Sequence, residues 1–128
     1  MNFIEGLREK SKKNIQKIVL AEGTEERTLR AADDVLKNHI ADIILIGNRE
    51  EIELLANSYD LDNINKAEII DPENNDRFDY YVDLLMQIRG KKIPNRAAAE
   101  ELVKKPLYLA TLLVKDGYAQ GEVAGAEH

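Results

Sequence analysis

The 128-residue sequence has no cysteine, no tryptophan, two histidines and three prolines. Without cysteine there can be no disulfide, no thiolate metal site and no cysteine nucleophile. Two histidines cannot build a three-histidine metal centre, and His39, placed after a helical segment, reads as a surface or capping residue. Long apolar runs are also missing. No segment approaches the roughly 18 apolar residues of a membrane span, and the opening MNFIEGLREKSKKN lacks the core of a signal peptide. A cytoplasmic location without membrane association is therefore expected. No extended basic block occurs, and 18 basic against 24 acidic residues give a net charge of −6, which argues against nucleic acid as a partner. Any anion must be held by local charge. Neither the three-glycine dinucleotide fingerprint nor the Gly-Lys-Ser/Thr of a phosphate-binding loop is present. No internal repeat, low-complexity tract or linker divides the chain, whose length fits one domain or part of a larger one.

What is present is an alternation of short apolar strands with amphipathic helices. Phe3, Ile4 and Leu7 form a narrow stripe that predicts a short N-terminal helix. The first strand is expected at residues 17–21. The segment EGTEERTLRAAD then turns at Gly23 into a helix with Leu29, Ala32, Val35 and Leu36 at helical spacing. ADIILIGN is a second strand, apolar without alternation, as expected of a parallel strand covered on both faces. REEIELLANSYDL is the next helix, and KAEIID a third strand stopped at Asp71-Pro72. Three helical segments follow, starting near Asn75, Asn95 and Pro106. The last is apolar from Leu107 to Val114, which predicts burial between layers or at an interface, with exposed apolar surface driving self-association. GEVAGAEH reads as a fourth strand entering a Gly-containing turn. The fold class is α/β, a βαβ-based and mostly parallel sheet with helices on both faces.

Three residues are candidates for substrate binding. Arg27 lies one turn into a helix whose Glu25 and Glu26 already occupy its positive end, so it either reaches a phosphate or pairs with Glu26 or Asp71. Arg89 stands at i+11 from Phe78, in line with Val82 and Leu85, on the apolar stripe of its helix. It either complements the helix C-terminus before Gly90 or faces a cleft as a phosphate ligand; Lys91 and Lys92 are secondary. His128 follows the fourth strand in a turn of the kind that carries catalytic groups in α/β folds. Ser11 and Ser58 have no histidine near them in sequence, so no self-contained triad is expected.

Taken in order, IVLAEGTEERTLRAA, ADIILIGN, AEIIDP, LLMQIRGKK, KPLYLATLLVKDGYAQG and VAGAEH resemble the N-terminal portion of the phosphate acetyltransferase (phosphotransacetylase) family. The resemblance implies a two-domain fold of the isocitrate-dehydrogenase-like type, with residues 1–128 forming the N-terminal part of domain one. It implies exchange of acetyl between coenzyme A and inorganic phosphate, with coenzyme A as substrate and no tightly bound cofactor. A homo-oligomer is expected. It matches Arg89 to an arginine that binds coenzyme A or phosphate and Arg27 to one of less certain role. The implied general base lies beyond residue 128, so the chain carries no catalytic residue and is expected to be inactive alone. Gln120, where the family commonly has aspartate, and Glu122, where an apolar strand residue is usual, depart from the pattern. Phosphate butyryltransferase, the acetyltransferase-like region of malic enzymes and a non-catalytic flavodoxin-like interaction module are the alternatives.

Overall fold

The computed structural model describes residues 15–123. The N-terminal helix expected around Phe3 to Leu7, and His128, lie outside them. Four strands, β1 (Lys17–Leu20), β2 (Asp42–Ile46), β3 (Glu68–Ile70) and β4 (Gly121–Val123), form one parallel sheet in the order β3-β2-β1-β4. Helices α1 (Glu26–Lys37) and α2 (Arg49–Ser58) connect the first three strands; α3 (Phe78–Arg89), α4 (Arg96–Val103) and α5 (Pro106–Lys115) lie between β3 and β4.

The unbroken apolar strands feed two cores. Ile18, Leu20, Ile43 and Leu45 pack with Leu29, Ala32, Val35 and Leu36 of α1 and Ile52 of α2. Val19, Ile44 and Ile46 pack with Tyr81, Val82 and Leu85 of α3, Ala99 and Val103 of α4, and Leu109 and Leu113 of α5. Successive strand residues point to opposite faces, so both faces must be covered to remove this surface from water. The helices therefore lie on both faces, as expected.

Helix α5 is less exposed than its composition suggests. Leu109, Ala110, Leu112 and Leu113 are buried in the second core, and Leu107, at 56 % exposure, is the one large apolar residue of this helix on the surface. The self-association expected of a wholly apolar helix loses most of its basis, because α3, α4 and β1 already cover the inner face.

The two departures in β4 have local explanations. Gln120 Oε1 accepts from the Lys17 N–H at 2.7 Å and the Gln120 N–H donates to the Lys17 carbonyl at 2.8 Å, which fixes the start of β4 beside the start of β1. Glu122 is exposed and accepts from the Thr111 hydroxyl at 3.1 Å, so the desolvation cost of a buried carboxylate does not arise. Tyr118, just before β4, lies between Lys17 and Arg77, 4.3 and 4.9 Å from its ring centre. Its hydroxyl reaches both Glu68 carboxylate oxygens at 2.7 Å. His39 has φ 54° and donates its N–H to the Leu36 carbonyl at 3.2 Å, the left-handed cap expected of a residue ending α1.

Candidate functional site

The turns after β1, β2 and β3, together with Pro106 and Leu107 at the start of α5, surround a cleft of about 1100 Å³. Open α/β sheets bind ligands outside the carboxyl ends of their strands where the strand order reverses. That reversal occurs at β1, which has β2 on one side and β4 on the other. The turn after β1 packs tightly on the end of β2: the Gly23 N–H donates to the Ile46 carbonyl at 3.0 Å, and a Cβ on Gly23 would stand 2.5 Å from that oxygen. No larger residue fits without moving backbone.

Helix α1 is capped by Glu25, whose carboxylate accepts from the Thr28 N–H at 3.0 Å and the Thr28 hydroxyl at 3.2 Å. Desolvation alone would raise the Glu25 pKa. The N–H groups of Thr28 and Arg27 and the Thr28 hydroxyl outweigh it and hold the pKa below the ordinary glutamate value. Asn48 caps α2 by accepting from the Glu51 N–H at 2.9 Å. Five carboxylates, from Glu22, Glu25, Glu51, Asp71 and Glu73, line the cleft, and no lysine or arginine does. Glu22 Oε2 is the one buried side-chain oxygen among the described residues without a hydrogen-bond partner. Such a lining disfavours a phosphate dianion by like-charge repulsion.

A second concavity, a groove of about 520 Å³, lies between α3 and α5. These helices run antiparallel: Tyr80 and Tyr81 at the start of α3 bond Asp116 just past the end of α5, whereas Arg89 at the end of α3 shares the groove with Leu107. Arg89, Lys92 and Lys115 line it together with Tyr108, Ile88 and Leu107, and no carboxylate lines it. Leu107 borders both the groove and the strand-end cleft.

The candidate residues are distributed as follows. Arg89 is the last residue of α3, followed by Gly90 at φ 54°. The stripe on which it was placed is real through Val82 and Leu85, but the last turn runs past the core, leaving Arg89 exposed on the groove. It has no ion pair among the described residues. Arg27 is exposed in the first turn of α1, and neither expected pairing forms: Glu26 binds Arg30 at 2.8 Å instead, and the Asp71 carboxylate accepts from the Glu73 N–H at 2.9 Å. Because α1 and α3 cover opposite faces of the sheet, the described residues do not gather Arg27 and Arg89 on one helix layer. Sequence reasoning misses Lys115 and Tyr108, because the apolar composition of α5 predicts burial. The signal was available, because positions 108, 111, 112 and 115 fall on one helical face. Among the described residues no group of three or more histidines and carboxylates is placed to hold a metal, and no helix is long and apolar enough to cross a membrane.

A doubly wound α/β layer with its switch-point cleft at the strand ends is the class that fold and site define. The chain belongs to the phosphate acetyl/butaryl transferase family, whose model matches residues 2–128. It is 46% identical, over its whole length, to the phosphate acetyltransferase of Thermoanaerobacterium thermosaccharolyticum, of which it covers 38%. Solved relatives superpose closely. A EutD phosphotransacetylase from Staphylococcus aureus has a TM-score of 0.87 at 32% identity, covering 98% of this chain and 37% of that one. A phosphotransacetylase from Streptococcus pyogenes has a TM-score of 0.88 at 30% identity, covering all of this chain and 39% of that one. The chain thus spans well under half the length of the relatives it matches.

Proposed function

We propose that this chain is the N-terminal part of domain one of a two-domain, isocitrate-dehydrogenase-like acyltransferase that exchanges acetyl between coenzyme A and inorganic phosphate. In this reading acetyl-CoA and phosphate are the partners, no cofactor is tightly held, and the enzyme is a cytoplasmic homo-oligomer. The acetyl group is favoured over butyryl because the relatives at 46% and 40% identity are phosphate acetyltransferases. The general base belongs to residues outside the chain, and the part described supplies binding surface. Arg89 is the coenzyme A phosphate ligand, Arg27 is a second substrate-facing cation, and His128 is a third substrate-binding residue.

The observation that carries this reading is the position of Arg89. A guanidinium at the open end of α3, exposed, without a carboxylate partner among the described residues and lining a groove, is free to make charge-assisted bonds to phosphate oxygens. In the full-length protein, Arg89→Ala is expected to raise the Michaelis constant for coenzyme A about ten- to hundredfold. Thermal melts should change little, because an exposed cation near a helix C-terminus contributes only about 0.3 to 1 kcal/mol. Steady-state kinetics of acetyl transfer from acetyl phosphate, with coenzyme A varied, measure the first effect. Unchanged kinetics alongside a lowered melting temperature would assign Arg89 to helix stability alone.

A further inference from the structure

We infer that Glu22 is a positioning residue for His128: its buried carboxylate oxygen accepts an imidazole N–H from the turn after β4. This rests on the reading above, in which His128 binds substrate, and adds the group that holds the imidazole and its proton. Glu22 touches no substrate in this arrangement and acts through His128.

The first argument is an oxygen without a donor. Glu22 Oε2 is buried, and among the described residues nothing donates to it. A buried acceptor left unpaired bears the full cost of leaving water, so such groups in folded proteins find partners. The nearby donors are engaged elsewhere. The Gly23 N–H donates to the Ile46 carbonyl at 3.0 Å, the Glu25 N–H to the Glu22 carbonyl at 3.1 Å, and the Thr28 N–H and hydroxyl both go to Glu25. No lysine or arginine lines the cleft. This leaves a donor from outside residues 15–123.

Topology selects the segment. β4 runs parallel to β1, with Val123 opposite Leu20 and the Ala21 N–H donating to the Val123 carbonyl at 3.3 Å. The chain therefore leaves β4 at the strand end where the turn after β1 carries Glu22. With strands about 4.8 Å apart and about 3.3 Å of rise per residue, the Glu22 Cα lies roughly 8 Å from that of Val123. The five residues AGAEH follow Val123 and can span that distance with length to spare for a turn. Among their side chains only His128 can donate, since alanine and glycine carry no donor and Glu127 is an acceptor.

Charge favours the protonated ring. Glu22 and Glu25 come from the turn after β1 and its helix cap, Glu51 from α2, and Asp71 and Glu73 from the turn after β3, while α5 adds only Pro106 and Leu107. Glu127 precedes His128 in the chain. Carboxylates around an imidazole stabilise its charged form. An imidazolium has two N–H donors, so one held by Glu22 leaves the other for an anionic substrate. A cleft with negative walls thereby presents one positive donor.

The test is NMR titration of the imidazole carbon-bound protons in the full-length protein, with the His128 signal assigned by its loss in His128→Gln. His128 should hold its proton about tenfold more tightly than an ordinary histidine, whose pKa is about 6.5, and Glu22→Gln should remove most of that gain. Glu22→Asp, which keeps the charge on a shorter side chain, should restore part of it. Glu51→Gln removes an exposed carboxylate of the same wall and should change the titration far less. His39 lies between α1 and the start of β2, at the other end of the strands, so its signal should ignore the Glu22 variants. A parent His128 that titrates at or below the ordinary value would overturn the inference, whether or not the variants fold. So would an equal response to Glu51→Gln, which would assign the effect to the whole wall instead of one contact. Kinetics separate the inference from the reading beneath it. If His128→Gln raises the Michaelis constant of acetyl transfer while Glu22→Gln leaves the His128 titration unchanged, the inference fails and the substrate-binding reading stands. If the titration follows Glu22 and His128→Gln leaves acetyl transfer unchanged, the pair stands and the substrate-binding role of His128 falls.

Discussion

The two concavities that meet at Leu107 have opposite chemistry. The strand-end cleft is built by backbone: three turns leave the sheet, two of them enter capped helices, and the caps and their neighbours are carboxylates and an asparagine. The groove is built by side chains of two antiparallel helices and one 3₁₀ turn, and its charges are all positive. Helix N-termini attract anions until an acidic cap neutralises them. Glu25 does this at α1, and Glu50 and Glu51 occupy the first turn of α2. In this part of the fold the position that α/β proteins commonly use for phosphate is disfavoured electrostatically, and the positive charge lies in the neighbouring groove.

The two regions should also respond differently to perturbation, and the largest response belongs to the groove side. Leu113 is fully buried on the inner face of α5, beneath the groove. Leu113→Ala should cost about 2 to 5 kcal/mol through lost burial and the cavity left behind. Urea unfolding measures it, and a cost below that range would mean that α5 is loosely docked and the groove poorly formed. On the cleft side, Gly23→Ala forces a methyl to within 2.5 Å of the Ile46 carbonyl unless backbone moves. A loss of about 1 to 3 kcal/mol is expected by overpacking, with no change in the coenzyme A Michaelis constant of the full-length protein. A parallel rise in that constant would show that the two concavities are mechanically one.

The smallest effects are in pH dependence and have opposite signs. The folded pKa of Glu25 lies below its unfolded value, so the capping contribution is fully present above about pH 4.3 and fades as pH falls through the folded pKa. Glu25→Gln should flatten that acid limb. Tyr118 behaves in reverse. Its hydrogen bond to Glu68 and its desolvation raise its pKa, so its contribution is complete below about pH 10 and is lost as pH climbs through the folded value. Tyr118→Phe should flatten the alkaline limb. Melting temperatures recorded across both limbs check the pair, and limbs unaffected by these substitutions would refute the assignments.

Legibility in the sequence followed the range of the interactions. The unbroken runs of β1 and β2 and the spacing of Leu29, Ala32, Val35 and Leu36 are local signals, and they gave the right elements on the right faces. KAEIID gave a strand two residues too early because Ile64–Lys66 closes a 3₁₀ turn, in which the Ala67 N–H donates to the Ile64 carbonyl at 3.0 Å. Arg89 could be singled out since its helix has a clear stripe. Lys92 and Lys115 could not be joined to it, because their proximity depends on α3 and α5 being antiparallel, which no local pattern encodes. The pairing of Tyr118 with Glu68 spans 50 residues and was equally hidden.

Among the described residues β4 has only three residues and one strand neighbour, β1, whose first residue is 103 positions away from Gln120. Its pairing gains little until α3, α4 and α5 have closed the intervening chain, so loop-closure entropy is met late and returned first. Fluctuations should therefore open this edge while the centre of the sheet stays shut. In amide exchange followed by NMR, Glu122 and Val123 should lose protection well before Ile44 and Leu45, and equal protection would mean that the sheet opens only as a whole.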